Sequence, residues 1–365
     1  MAVSIVLAAT MTAVQAANGG DPIVLQGHNK ALSVVAWSAD GKVIATAGND
    51  RTIRLWDAAT GLQNAIRTAI APDGYGEPVI AFAPDLKTVA VNYWGEITIR
   101  STADDKVLVK LDPVLDRGTR SAFRPDVFAM AFSPDGKQLA TAGSTATAGG
   151  PHGLPGGIVI LWDVKSGKMI RTSERLSTTA CCVAWTADGK QFATGTNGAG
   201  GELPEAGQVW VWSVESGKPL HHVQVEPQVE PGEWVSAGAV AFSPDGKRIA
   251  EPIAAKGVSP PTELPVEEAG SSIRIWDLES GQTTRLTIVQ TGLVDRVVFS
   301  PNGKCLATAS RDKVVRVWDI ETGKQLEELP SPHQVGVLAF SPDGKSLAAG
   351  SNNGSARIWT VLEKQ

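Results

Sequence analysis

The sequence predicts an all-β chain in which one four-stranded antiparallel unit is repeated seven times and closed into a ring. Three observations carry that expectation. A turn phrase recurs seven times along the 365 residues. A strand phrase ending in Trp follows it in six of the seven units. The last unit stops one strand short, while the N-terminus holds one strand too many.

The turn phrase comes first in each unit. It reads Ala131-Phe132-Ser133-Pro134-Asp135-Gly136-Lys137 in the third unit and Ala339-Phe340-Ser341-Pro342-Asp343-Gly344-Lys345 in the last. The other copies start at Ala36, Ala81, Ala184, Ala241 and Val298. Pro presets φ for the first central residue of a turn, and Asp-Gly or Asn-Gly supplies the positive φ that a hairpin needs. Apolar residues flank each copy. Each is therefore a hairpin joining a strand a to a strand b.

The second phrase is strand c. Examples are Thr52-Ile53-Arg54-Leu55-Trp56-Asp57, Ile158-Val159-Ile160-Leu161-Trp162-Asp163 and Val315-Arg316-Val317-Trp318-Asp319. Branched and aromatic residues dominate, as pleated strands favour. A turn such as Glu321-Thr322-Gly323-Lys324 follows, and then a weaker strand d. Four antiparallel strands repeated seven times predict a seven-bladed β-propeller.

The Trp-Asp pair closing strand c, the Gly27-His28 pair before strand a and the repeat length resemble the WD-repeat family over residues 21–361. The resemblance implies a buried hydrogen-bonded series of His, Ser/Thr, Asp and Trp. It maps onto His28, Thr46, Asp50 and Trp56 in the first blade, and onto Thr308, Asp312 and Trp318 in the sixth, where Gln290 falls near the His position. The seventh blade has Asn353 and Trp359, with His333 displaced. The second blade puts Arg100 at the Trp position and is expected to be the least regular. Asn353-Gly354-Ser355 is formally a glycosylation sequon, but its place in the repeat assigns it a structural role.

Closure follows from counting strands. The chain nearly ends at Trp359-Thr360-Val361, so the seventh blade lacks its own strand d. Pro22 to Leu25 reads as an orphan strand d. It is expected to pair into the last blade and remove the open sheet edges.

Residues 1–20 are expected to be a leader outside the propeller, which spans 21–365. Met1 to Ala17 is uncharged, and Val14-Gln15-Ala16 offers the small residues of a cleavage site, although no basic residue precedes Lys30. Cleavage would place the protein in the periplasm or outside the cell; retention would leave it in the cytoplasm. The run is too short for a membrane span, and none is expected in the mature chain. Net charge is -5 with no Lys/Arg run, which argues against nucleic acid as partner. The three cysteines suggest buried thiols in place of a disulfide framework. Adjacent Cys181 and Cys182 are expected to point to opposite faces of one strand.

Propeller geometry sends every b–c and d–a loop to one face. Three b–c loops are long: Ser144 to Gly156 with His152, Thr196 to Gly207 with Glu202, and Glu251 to Gly270 with Glu263. Two d–a loops carry anchors: Asp112 to Asp126 with Arg117, Arg120 and Arg124, and Val225 to Gly238 with Trp234. Tyr75, Tyr93 and Trp94 map to the same face. Long loops on a compact fold are where binding concentrates, and aromatic and Arg residues are its usual anchors. These residues predict a monomeric, noncatalytic scaffold that binds a protein or peptide on the face of blades two to five. The loop acidity suggests a partner with some positive charge.

Catalytic and cofactor signatures are weak. Gly344-Lys345-Ser346 lacks the earlier glycine of a phosphate loop and sits in a hairpin turn. His221 and His222 are strand neighbours pointing apart, a poor metal pair. No metal site and no cofactor is expected. The alternative is a periplasmic propeller enzyme or quinone carrier. Ala58-Ala59-Thr60-Gly61 faintly echoes quinoprotein repeats, but there the Trp follows the turn.

Overall fold

The computed structural model describes residues 21–67, 78–93, 95–111, 126–148, 155–174, 176–196, 208–224, 239–254, 271–286 and 293–361. In chain order, β1 (Ile23–Leu25) precedes the first blade, β2 (Leu32–Trp37), β3 (Val43–Gly48), β4 (Ile53–Asp57) and β5 (Gln63–Arg67). Blade two is β6 (Val79–Phe82), β7 (Thr88–Tyr93), β8 (Glu96–Ser101) and β9 (Val107–Leu111). Blade three is β10 (Asp126–Phe132), β11 (Gln138–Ala148), β12 (Pro155–Asp163) and β13 (Met169–Thr172). Blade four is β14 (Ala180–Trp185), β15 (Gln191–Thr196), β16 (Gln208–Ser213) and β17 (Pro219–Gln224). Blade five is β18 (Ala241–Phe242), β19 (Arg248–Ala254), β20 (Ser271–Asp277) and β21 (Thr283–Leu286). Blade six is β22 (Val294–Phe299), β23 (Cys305–Ser310), β24 (Val314–Asp319) and β25 (Gln325–Pro330). Blade seven is β26 (Val335–Phe340), β27 (Ser346–Ser351) and β28 (Ala356–Thr360).

Each blade is a four-stranded antiparallel sheet, and the seventh is completed by β1 in the order β1-β28-β27-β26. Ile23 pairs with Ile358 and Leu25 with Ala356, so the N-terminal strand closes the ring as the strand count requires. Leu25 is buried in the cluster that joins Leu32, Ile44 and Trp56 of blade one to Ala348 and Ile358 of blade seven. Trp37 adds a polar tie across the same seam, its indole N–H donating to the Ala339 carbonyl at 3.0 Å.

The recurring turn does two jobs. In blade three Ser133 Oγ donates to Asp135 Oδ1 at 2.7 Å, and the Lys137 N–H donates to the same oxygen at 3.0 Å. Gly136 takes φ 70°, which a side chain would resist. Its Cα also faces Pro84 of the preceding turn, where an added Cβ would meet the ring at 3.7 Å. The phrase thus shapes its own hairpin and packs it onto its neighbour. In blade two the glycine is replaced by Leu86, which still adopts φ 54°. The Asp of each Trp-Asp pair caps the next turn: Asp57 accepts from the Thr60 N–H at 2.8 Å and from Thr60 Oγ1 at 2.7 Å.

Several expectations need correction. Ser144 to Gly156 is not all loop, because β11 and β12 extend into it and pair Ser144 with Gly157 and Ala148 with Pro155. Glu251 does not begin a loop; it lies inside β19, opposite Arg274. Blade two is not the least regular among the described residues. It keeps four full strands, with Arg100 bonded to Asp105 at 3.0 Å, whereas the inner strand of blade five is reduced to two residues. Cys181 and Cys182 do not point apart, for a reason given below.

Candidate interaction face

A buried polar network ties blade one together near this face. In blade one the Trp56 indole N–H donates to Thr46 Oγ1 at 2.8 Å, and His28 Nε2 lies 2.8 Å from the same hydroxyl. His28 Nδ1 sits 2.9 Å from Asp50 Oδ1. Neutral His28 makes the chain consistent: Thr46 donates to Nε2, and Nδ1–H donates to Asp50. Burial lowers the His28 pKa from its ordinary 6.5 against the raising effect of Asp50. Burial pushes Asp50 up, but bonds from His28 and Thr52 more than offset it and hold the carboxyl below its usual range. The Trp-to-Thr bond recurs from Trp162 to Thr141 and from Trp212 to Thr194, both at 3.1 Å, and from Trp318 to Thr308 at 2.9 Å. In blade six Asp312 instead takes the Arg316 guanidinium at 2.7 Å. Gln290 lies outside the described residues. His333 is exposed, and Asn353 Oδ1 accepts from the Ser355 N–H and hydroxyl, which gives it the structural role expected of it.

Blade five departs from this pattern. Glu251 occupies the place held by Thr in blades one, three, four and six, and Trp276 Nε1–H donates to its Oε1 at 2.9 Å. The carboxyl is fully buried. Arg274 Nε stands 3.6 Å from Oε1, with its guanidinium 5.0 Å from the Trp276 ring centroid. Oε2 finds no hydrogen-bond partner among the described residues. Burial raises the Glu251 pKa above 4.5, against the opposing effects of Trp276 and Arg274.

The inner strands surround a central cavity of about 800 Å³. Counting back two residues from each repeat's Ala or Val gives one ring around it: Val34, Val79, Ala129, Cys182, Ala239, Arg296 and Val337. Five members are small and apolar; blades four and six supply a thiol and a cation. Nearer the loop face, strand a carries a bulge in five blades, between Leu32 and Val34, Val127 and Ala129, Ala180 and Cys182, Val294 and Arg296, and Val335 and Val337. A bulge sets two residues against one and re-aims the side chains. The extra residues are Ser33, Phe128, Cys181, Asp295 and Gly336. Phe128 is 51% exposed beside the cavity. Asp295 holds Arg311 at 3.1 Å and Gln334 at 2.9 Å, which links blade six to blade seven.

Of the residues expected to bind a partner, the structure describes Tyr93 alone. It is half-buried at the end of β7, opposite Glu96. Tyr75, Trp94, Arg117, Arg120, Arg124, His152, Glu202, Trp234 and Glu263 lie outside the described residues. Reading from the loops missed the cavity ring and Phe128. Aligning the seven repeats residue by residue would have found both, because they hold fixed offsets from the turn phrase. His222 stacks on Trp210 with ring centroids 3.8 Å apart, which explains that histidine as cover for the blade surface. Among the described residues no group of three His, Cys, Asp or Glu gathers to hold a metal, and no helix is long and apolar enough to cross a membrane.

The sequence family described as WD domain, G-beta repeat, matches residues 22–57, 119–163, 285–319 and 323–360. The chain is 22% identical to THO complex subunit 3 of Arabidopsis thaliana over 324 residues, which are 84% of this chain and 81% of the relative. It is 22% identical to nuclear distribution protein nudF of Aspergillus niger over 342 residues, 89% of this chain and 69% of the relative. The WD repeat-containing protein SL1-17 of Schistosoma mansoni is 26% identical over 166 residues, 46% of this chain and 45% of the relative. Repeated blades, the Trp-to-Thr bonds, the closing strand and these matches agree: the chain carries WD repeats, four of them matched by the family model.

Proposed function

We propose that this protein is a noncatalytic interaction scaffold that receives a protein or peptide segment at the mouth of the central cavity, on the face of the b–c and d–a loops. The observation that carries the reading is Phe128. Large apolar side chains exposed elsewhere among the described residues sit on outer strands or a c–d turn, such as Val24, Ile66, Leu108, Leu220 and Leu62. Among the described residues Phe128 alone of these stands at the inner end, beside the cavity. An exposed aromatic at the rim of a concave surface is a typical binding anchor. One relative is, by its name, a subunit of a complex, which supports a role in assembly. In this reading Tyr75, Tyr93, Trp94, Trp234 and the Arg117, Arg120 and Arg124 cluster form the outer rim of the same surface.

A photo-crosslinking residue placed at position 128 tests the site against one at Leu62 on the opposite face. A defined crosslinked partner at 128 that is absent at 62 supports the reading, and Phe128→Ala should weaken recovery of that partner roughly tenfold. Equal capture at both positions would overturn it. The proposal extends to residues 1–20 as an export leader. Mass spectrometry of the mature chain should then find its start at Ala17.

A further inference from the structure

The cavity wall holds a pair of adjacent thiols that the binding reading does not use. The bulge in β14 sets both Cys181 and Cys182 against Gly195 of β15. The Cys181 thiol donates to the Gly195 carbonyl at 3.3 Å, and the Gly195 N–H donates to Cys182 Sγ at 3.2 Å. The two sulfurs also lie within hydrogen-bonding reach of each other. Both line the cavity, so small solutes reach them. Packing does not require sulfur here, because Val or Ala fills the Cys182 position in five other blades.

The two thiols differ in character. The Cys181 thiol within reach, the Gly195 N–H and the positive field of Arg296, two blades away across the small Ala239, act on Cys182 against its burial. These hold its proton less tightly than usual. The Cys181 thiol is pushed the other way, chiefly by its bond to Cys182 and then by burial. The Arg296 guanidinium makes no ion pair with a carboxylate among the described residues; it donates to the Asp295 carbonyl oxygen at 2.9 Å. A thiol with a loosened proton near a cation and an open cavity is the environment of a reactive cysteine, and a neighbouring thiol is what resolves its first oxidation product.

We propose that Cys181 and Cys182 form a peroxide-sensitive dithiol at the central cavity, which a hydroperoxide closes to a disulfide between adjacent residues. Cys182 sulfur attacks the terminal peroxide oxygen. The O–O bond breaks, the sulfur loses two electrons and becomes a sulfenic acid, and the peroxide leaves as an alcohol, or as water from hydrogen peroxide. Cys181 sulfur then attacks Cys182 sulfur. The S–S bond forms, the S–O bond breaks, and the hydroxyl leaves as water with the Cys181 proton. Two thiols and one hydroperoxide yield one disulfide, one alcohol and one water.

The third cysteine is an internal control, because Cys305 is buried between blades six and seven. The test treats the full chain with one equivalent of hydrogen peroxide, then denatures it and alkylates the remaining thiols. One of three cysteines should alkylate, and it should be Cys305. Dithiothreitol should restore all three, and peptide mass spectrometry should find a Cys181–Cys182 link. In Cys181→Ser the sulfenic acid at Cys182 should persist and be trapped by dimedone. Arg296→Leu should slow the reaction by about tenfold through lost thiolate character. Three thiols that still alkylate, oxidation of Cys305 at the same rate, or disulfides only between chains would overturn the proposal. The wild-type measurement stands even if a variant fails to fold.

Discussion

Blades one and five solve the same packing problem with opposite chemistry. In blade one a neutral hydroxyl, Thr46, sits between the Trp56 indole and His28, and the polar series ends on Asp50 at the loop face. In blade five a carboxyl, Glu251, takes the hydroxyl's place and holds the Trp276 indole with one oxygen. The first arrangement satisfies each member of the series. The second leaves Oε2 with no hydrogen bond among the described residues. A buried polar network rigidifies its surroundings only when each member is paired. The inner strand of blade five is also the shortest in the ring. Regularity here does not follow the presence of the signature Trp, which blade five has. Blade two lacks that Trp and keeps four full strands.

The comparison breaks most sharply at Thr46. Thr46→Val should cost about 2–4 kcal/mol, because it strands both the Trp56 N–H and His28 Nε2 in a buried site. Denaturant unfolding would measure it, and a loss below about 0.5 kcal/mol would mean that the series does not hold the blade. Glu251→Gln should act in the other direction and stabilise by about 1–2 kcal/mol at pH 8, since it keeps the shape and removes a buried charge.

The same pair predicts opposite responses to pH. The pKa of Glu251 is raised in the folded state, so its contribution is fully present below the unfolded value of 4.5 and is lost as pH rises through the folded value. The pKa of His28 is lowered, so its contribution is present above 6.5 and is lost as pH falls below that value. Stability measured from pH 4 to pH 8 should therefore lose its alkaline-side decline in Glu251→Gln and keep its decline below about pH 6.5. An unchanged alkaline limb would show that Glu251 is ionised at little cost. The smallest effect is expected in blade two. Arg100→Ala should cost only about 0.5 kcal/mol, because the Arg100–Asp105 pair is partly exposed.

The candidate site was less legible in the sequence than the blades. Loop lengths pointed to the face of the b–c and d–a loops, but apart from Tyr93 the named rim residues lie outside the described structure. Phe128 and Arg296 went unmarked because each sits inside a strand, where side chains are expected simply to alternate. The bulge between Val127 and Ala129 interrupts that alternation. Nothing in the local composition announces it, since a bulge is a property of two paired strands. The same gap misplaced Cys181 and Cys182. Glu251 was read as loop because a charged residue followed by Pro252 resembles a strand end. Only the register with Arg274 shows that the strand continues through it.

The sequence by itself determined the seven hairpins, the strand that ends in Trp and the strand that closes the ring. These rest on short-range rules: Pro and Gly set turn dihedrals, β-branched residues favour strands, and a missing strand must be supplied by the chain's other end. Tertiary structure decided what the ring encloses. Closing it brings Trp37 against Ala339 and sets Cys182 and Arg296 around one cavity, contacts whose partners lie from about a hundred to three hundred residues apart in the chain. No local pattern encodes such neighbours, because they come from bulges and blade angles that the whole sheet set fixes together.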